Sequence, residues 1–498
     1  MANLTKMMLY FQKNAQKFGE STALLSGTQS YSYSRLINHA ENVAGILLGN
    51  QSDLNQSPVA YMVEPGFSYV SSQWGIWLAG GIAVPVALAH PLESIKYILQ
   101  DTGAKTFICS ANFTSLLSDF CREAGVRLIV WEEMPQSNPI SLPEVQLDRG
   151  AMILYTSGTT SLPKGVLSTH LCIESQIKSL VEAWKYSAND HTLCVLPLHH
   201  IHGIINVISA TLYVGGKVEF LAQFSAEEIF ARFNQGALNV FMAVPTIYFK
   251  LIAYLESLDE IKRQELKTCM QAFRLMISGS AALPVSVMEK WETLSGQRLL
   301  ERYGMTEIGM AISNPYEGER KAGHVGMPLP SVQVRLVDEA NKPIQNEAGE
   351  IQIKGPTVFK EYWGKAVATK EAFTEDGWFK TGDVAELVDG YYRILGRNST
   401  DIIKSGGYKL SALEIEEVLR THSSVEDCSV VGLPDEEWGE IVAAVVVLKS
   451  NTSSDELNTF MRSKMPAYRV PRKYLFLSEL PRNAMGKVTK NDLKVLFT

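Results

Sequence analysis

Leu154-Tyr155-Thr156-Ser157-Gly158-Thr159-Thr160-Ser161-Leu162-Pro163-Lys164-Gly165-Val166 is the stretch from which the rest of the chain can be read. The apolar run that leads into it, Ala151-Met152-Ile153-Leu154, reads as a buried strand delivering a loop of hydroxyl side chains, glycines and one lysine. Small residues leave backbone amides open, and together with hydroxyls and an ammonium they can hold a polyphosphate. The loop is not a Walker A sequence: Lys164 follows Pro163 and precedes Gly165, whereas that pattern puts Gly-Lys-Ser/Thr at a helix start. P-loop kinases and ATPases are thereby disfavoured, and an ordinary polar surface loop after a strand is the plain alternative.

On the N-terminal side of this loop, short apolar runs alternate with helical patterns. Residues 58–63, 82–86, 105–109 and 127–131 read as strands and 34–49, 67–79 and 92–102 as helices, which argues for α/β layers with largely parallel sheets. The proline-bearing stretch 131–150 reads as a loop feeding the central strand. On the C-terminal side a second α/β series carries strand candidates at 191–197, 239–244, 273–278 and 298–301. Residues 322–397 then shift to alternating patterns of a β-rich subdomain, and the remainder is an α+β unit of about 100 residues, enough for a small domain.

At 498 residues the chain exceeds one hydrophobic core, so more than one domain is expected. A net charge of −7 supplies no basic face for nucleic acid or acidic membrane, and no apolar run reaches the ~18 residues of a membrane span. Six scattered cysteines without metal spacing read as reduced thiols, and the N-terminus shows no targeting pattern, so a cytoplasmic protein is expected. The sequence carries no signal for oligomeric state.

Taken with further motifs, the glycine/hydroxyl loop resembles the signature of the ANL superfamily of adenylate-forming enzymes. The resemblance implies that Thr156, Ser157, Gly158, Thr159, Thr160 and Lys164 hold the ATP phosphates. Arg302-Tyr303-Gly304-Met305-Thr306-Glu307 is similar to the next signature, implying that Tyr303 stacks near adenine, Thr306 contacts the α-phosphate and Glu307 helps hold Mg²⁺, a hard cation suited to one carboxylate plus phosphates. Ser278-Gly279-Ser280-Ala281 matches the turn lining the adenine site, with Ser278 beside the acid. Gly377-Trp378-Phe379-Lys380-Thr381-Gly382-Asp383 supplies the ribose-binding Asp383, and Arg397 is the second ribose contact. Past a hinge placed at 398–400, Gly406 and Gly407 resemble the loop that lets the pantetheine of CoA pass, and Ser411 is a candidate cap for a helix beginning at Ala412. Pro481-Arg482-Asn483-Ala484-Met485-Gly486-Lys487 resembles the segment whose Lys487 stabilises charge during adenylation.

Leu196-Pro197-Leu198-His199-His200-Ile201-His202-Gly203 aligns with a family segment in which His200 takes the gating position near the acid and His199 replaces an aromatic. Three histidines lacking a nearby carboxylate or cysteine do not read as a metal site. Substrate choice turns on Arg302. A fatty-acid enzyme gains nothing from a buried guanidinium, whereas a dicarboxylic acid would pair its second carboxylate with it; the alternative is that Arg302 turns outward to an exposed glutamate. The wider stretch 301–320, and 396–414 with one extra residue in the hinge, resemble the malonyl-CoA synthetase branch, implying malonate as substrate, with Arg302 first and Arg320 second for the free carboxylate. The expected protein is thus an α/β adenylation domain (1–397), with a β-rich subdomain, and an α+β lid (401–498). It would use ATP, Mg²⁺ and CoA to make malonyl-CoA, and methylmalonyl-CoA within the tolerance for one methyl group. A fatty or aryl acyl-CoA synthetase, a carrier-loading adenylation domain and a non-catalytic nucleotide- or malonate-binding regulator remain as alternatives.

Overall fold

The structure is a computed structural model that describes residues 9–137, 141–156, 162–221, 223–345, 347–482 and 488–497. The expectations for Ser157, Gly158, Thr159, Thr160 and Lys487 lie outside the described residues. The chain is a mixed α/β protein with a large N-terminal domain and a smaller C-terminal one.

Among the described residues, the large domain holds two long sheets. One is seven-stranded, and in it the strand Gly150–Thr156 runs parallel to the central strand Ile82–Pro85 and antiparallel to Lys164–Thr169. The strands Pro58–Met62, Thr106–Cys109 and Arg127–Val130 are all parallel; the first two are largely buried, as strands covered on both faces require, and the edge strand Arg127–Val130 is partly exposed. The other sheet is nine-stranded, with His191–Cys194, Val240–Ala243, Leu275–Ser278 and Leu300–Met305 running parallel through its middle. Helices such as Phe67–Leu78, buried at every turn, fill the space between layers. Trp77 Nε1 donates to Ala151 O at 2.6 Å and ties that helix to the strand Gly150–Thr156.

One expected strand lies elsewhere. The run at 298–301 is strand only from Leu300, and it continues to Met305, so the Arg302–Met305 part of the motif is strand rather than the loop after it. The reason is non-local: Gly309–Ser313 folds back antiparallel and pairs Arg302 with Ser313 and Tyr303 with Ile312.

The β-rich subdomain is a five-stranded antiparallel sheet ending in Phe379–Val388 and Tyr391–Arg397, which face Asp383 to Arg397. Beyond it the chain builds its own sheet around Val425–Asp435 and Gly439–Leu448, with separate apolar clusters on its two faces. Ser411 caps the helix Ala412–Arg420 by accepting from Glu414 N. All six cysteines are free thiols, and no helix among the described residues is long and apolar enough to cross a membrane.

Candidate active site

The hairpin 150–169 presents its loop at the end of the seven-stranded sheet. Tyr155 Oη donates to Asp101 at 2.7 Å and Tyr97 Oη to Pro163 O at 2.7 Å, fixing both shoulders of the loop, and Thr156 stands at its start. Lys164 lies with Nζ 5.0 Å from the Tyr362 ring, and Tyr362 Oη donates to Glu307 Oε1 at 3.0 Å. The short strand Glu361–Tyr362 pairs with Lys164–Thr169, while Phe359 N donates to Glu307 O, so one segment clamps the second motif onto the first. Glu307 is buried, and that burial raises its carboxyl above the usual range. A desolvated carboxylate gains from a cation, so Glu307 fits the role of a one-carboxylate Mg²⁺ ligand. Among the described residues no three His, Cys, Asp or Glu side chains gather into a metal-holding group.

Along the same strand, Tyr303 Oη donates to Asp383 Oδ2 at 2.6 Å and Arg397 Nε to Asp383 Oδ1 at 3.1 Å. Three motifs 80 and 14 residues apart thus meet on one carboxylate. Arg397 also donates its backbone N–H to Asp401 Oδ2 at 2.9 Å, which joins this cluster to the start of the C-terminal domain. Thr306 is half-buried between Tyr303 and Glu307.

Arg302 points the other way. It is 3% exposed, and the outward-facing alternative therefore fails. Its Nη2 donates to Ser280 Oγ at 3.3 Å, its Nε has no partner, and no carboxylate among the described residues forms an ion pair with it. Burial lowers its guanidinium to about 9, still charged near neutrality. Gly279 leaves the space it fills: a Cβ there would lie 2.4 Å from Arg302 Cζ. Ser280 Oγ is also 3.1 Å from His202 Nδ1, and Ser278 Oγ is buried with no hydrogen-bond partner among the described residues. Ala281 follows on the exposed side of this turn. Arg320, the second choice for a free carboxylate, is half-buried, and its guanidinium donates to the carbonyls of Arg298, Pro315 and Tyr316, which ties the 315–320 loop to residue 298.

His200 sits in a row of imidazoles, its ring 4.0 Å from His199, which is 5.9 Å from His90. The row is held by a chain of hydrogen bonds from Gln73 through Tyr61 and Tyr69 to Leu198 O. His202 opens a π-helix, His202–Ser209, a wide-turn form often found at functional sites. Gly406 and Gly407 form the two-residue turn between Ile402–Ser405 and Tyr408–Ser411, both with positive φ, so the turn itself demands glycine there. His202 and Tyr362 were not singled out in the sequence. The third histidine of the 199–202 cluster was a usable signal for the first; nothing local marked the second.

A model of the AMP-binding enzyme family matches residues 11–363, and one of the AMP-binding enzyme C-terminal domain matches 414–487. The chain belongs to the AMP-binding enzyme family. This AMP-binding enzyme is 42% identical to malonate–CoA ligase ACSF3, mitochondrial, of Xenopus laevis over 97% of this chain and 91% of that protein. It is 40% identical to the Homo sapiens protein of the same name, over 96% and 90%. Its structure superimposes on ATP-bound MatB from Rhodopseudomonas palustris with a TM-score of 0.90 at 30% identity, covering 98% of both chains.

Proposed function

We propose that this AMP-binding enzyme is a malonate–CoA ligase: ATP and malonate give malonyl-AMP and pyrophosphate, and CoA then displaces AMP to give malonyl-CoA. The observation that carries the choice of acid is Arg302, a buried guanidinium that donates to Ser280 and forms no hydrogen-bonded ion pair with a carboxylate among the described residues. A buried charge without a counter-ion is costly, and a diacid removes that cost by leaving one carboxylate free to pair while the other is activated. The ~40% identity to proteins named malonate–CoA ligase supports the same acid.

In this reading Asp383 and Arg397 take the ribose hydroxyls, and Tyr303 holds Asp383 in place while flanking the adenine with Ser280 and Ala281. Lys164, Thr156 and the hydroxyls of 157–160 meet the phosphates. Glu307, oriented by Tyr362, holds Mg²⁺, which neutralises phosphate charge when bound. Thr306 and Lys487 contact the α-phosphate, His200 and Ser278 line the acid, and Gly406 and Gly407 face the pantetheine. The lid turns about 398–400 between the two half-reactions.

The test is pyrophosphate release with ATP and Mg²⁺ across malonate, methylmalonate, succinate, acetate, butyrate and octanoate, with and without CoA. Wild type should prefer malonate and need CoA for turnover. Arg302→Leu should lose on the order of 100-fold in kcat/KM for malonate, the cost of removing one partner of a buried charged pair. A wild-type preference for monocarboxylates would overturn the assignment.

A further inference from the structure

The row of imidazoles is longer than gating of the acid requires. His90 follows the strand Ile82–Pro85 and is half-buried, with Nδ1 buried and lacking a partner among the described residues. Its ring lies 5.9 Å from His199, a gap that one water or a ring rotation spans, and His199 lies 4.0 Å from His200. His200 and His202 are close enough to perturb one another electrostatically, and His202 shares Ser280 with Arg302. Four histidines brought from two distant segments therefore run from the half-buried position of His90 to the pocket that Arg302 marks. A site that only packed against the acid would be served as well by the aromatic side chain that the family pattern places at position 199.

The second half-reaction gives such a row something to do. As the thiol sulfur of CoA bonds to the acyl carbon, the carbon–oxygen bond to the AMP phosphate breaks and its electron pair leaves with AMP. The sulfur loses its proton in this step, and a row of neutral imidazoles offers that proton a path to solvent.

We propose that His200, His199 and His90 form a proton relay that carries the thiol proton of CoA from the acyl-adenylate to solvent, with His199 and His90 as its relay residues. The proposal rests on the CoA-ligase reading above. Burial and the neighbouring imidazoles push His199 down to about 3, burial lowers His90, and burial with the Arg302 charge lowers His202 well below its ordinary range, so the free enzyme keeps these rings neutral with a lone pair each. The facing charges then change: a bound diacid neutralises Arg302, whose charge lowers His202, and the adenylate phosphate adds a negative charge, so basicity rises at the acid end of the row when a proton has to move. The proton is held in transit only and passes to buffer at His90.

The two half-reactions separate this role from packing. Adenylation is read as single-turnover pyrophosphate release, and thioester formation by mixing preformed malonyl-AMP and CoA with wild type, His199→Phe and His90→Gln. Both variants should adenylate within about twofold of wild type. They should form thioester about 10- to 100-fold more slowly at pH 7, below the full range of a general base because His200 remains. The deficit should close as pH rises through about 8 to 9.5, where the thiol ionises unaided. A deficit of the same size at every pH, an equal loss in both half-reactions, or no loss in either variant overturns the relay and leaves the ligase reading standing. Wild type that forms no CoA thioester overturns both. His90→Gln, at the outer end of the row, carries the test if His199→Phe does not fold.

Discussion

Ser280 is held at φ 71°, a left-handed conformation that a residue with a Cβ adopts at a cost of about 1 kcal/mol. Its hydroxyl accounts for the strain. Arginine can only donate, so Ser280 Oγ accepts from Arg302, and the same hydroxyl lies within hydrogen-bond distance of His202 Nδ1 at 3.1 Å. Ser280→Gly should melt no lower than wild type while raising the malonate KM several-fold, and Ser280→Ala should raise KM alike without the gain in stability. Thermal melts with malonate kinetics decide this, and an unchanged KM in both variants would remove the hydroxyl from substrate recognition. Glu301, next along the strand, gives a pH prediction. It is buried, accepts from Leu283 N at 2.9 Å, and burial raises its carboxyl from 4.5 to about 8. Between those values the folded chain keeps a proton that the unfolded chain has lost, so this group lowers stability as pH rises across the window and levels off above 8. Glu301→Gln cannot titrate, so its melting temperature should gain on wild type between pH 5 and pH 8.5; a constant difference would mean that Glu301 is ionised throughout.

The hairpin made by Leu300–Met305 and Gly309–Ser313 is the element that turns a linear motif into a site. Its alternation sends Arg302 toward Ser280 and Tyr303 toward Asp383, and a bulge between Tyr303 and Gly304 re-aims the chain toward Thr306 and Glu307. The strands approach so closely at the bulge that a Cβ on Gly304 would lie 2.2 Å from Gly309 O and 2.4 Å from Met310 Cε. Gly304→Ala should therefore cost on the order of 1–3 kcal/mol by overpacking. It should also displace Thr306 and Glu307, lowering kcat in both ATP-dependent pyrophosphate release and overall thioester formation. Denaturant melts and steady-state kinetics on the same preparation test both halves of this expectation, and a fully stable, fully active variant would show that the bulge yields freely.

At the scale of the molecule, the two domains touch through a helix end. Glu417, on the C-terminal helix Ala412–Arg420, accepts from Ser286 N at 3.3 Å at the N-terminus of Val285–Ser295, a helix of the large domain. A carboxylate at a helix N-terminus is worth about 0.3–1 kcal/mol, enough to bias the lid between orientations about two- to fivefold. Glu417→Gln should change the ratio of the two half-reaction rates by that factor while leaving the malonate preference intact. An unchanged ratio would place the control of lid orientation elsewhere, for example at Asp401, which receives Arg397 N and pairs with Lys490 at 2.7 Å.

The amino-acid order alone determined the family and the parts set by local chemistry. The alternation of apolar runs set the strands of both long sheets, Ser411 set a helix start, and the succession of motifs from 151 to 487 identified the adenylate-forming class. Those features are carried by neighbours in the chain, where periodicity and capping act. Tertiary structure alone decided which way Arg302 faces, because the space it fills is made by Gly279, in the turn that follows the strand Leu275–Ser278. It turned Arg320 onto the Arg298 carbonyl, and it placed Tyr362 on Glu307 across 55 residues of chain. It also set His90 beside His199. Each of these depends on a partner supplied by a different element, and a side chain's partner across a fold is not encoded in its own neighbourhood.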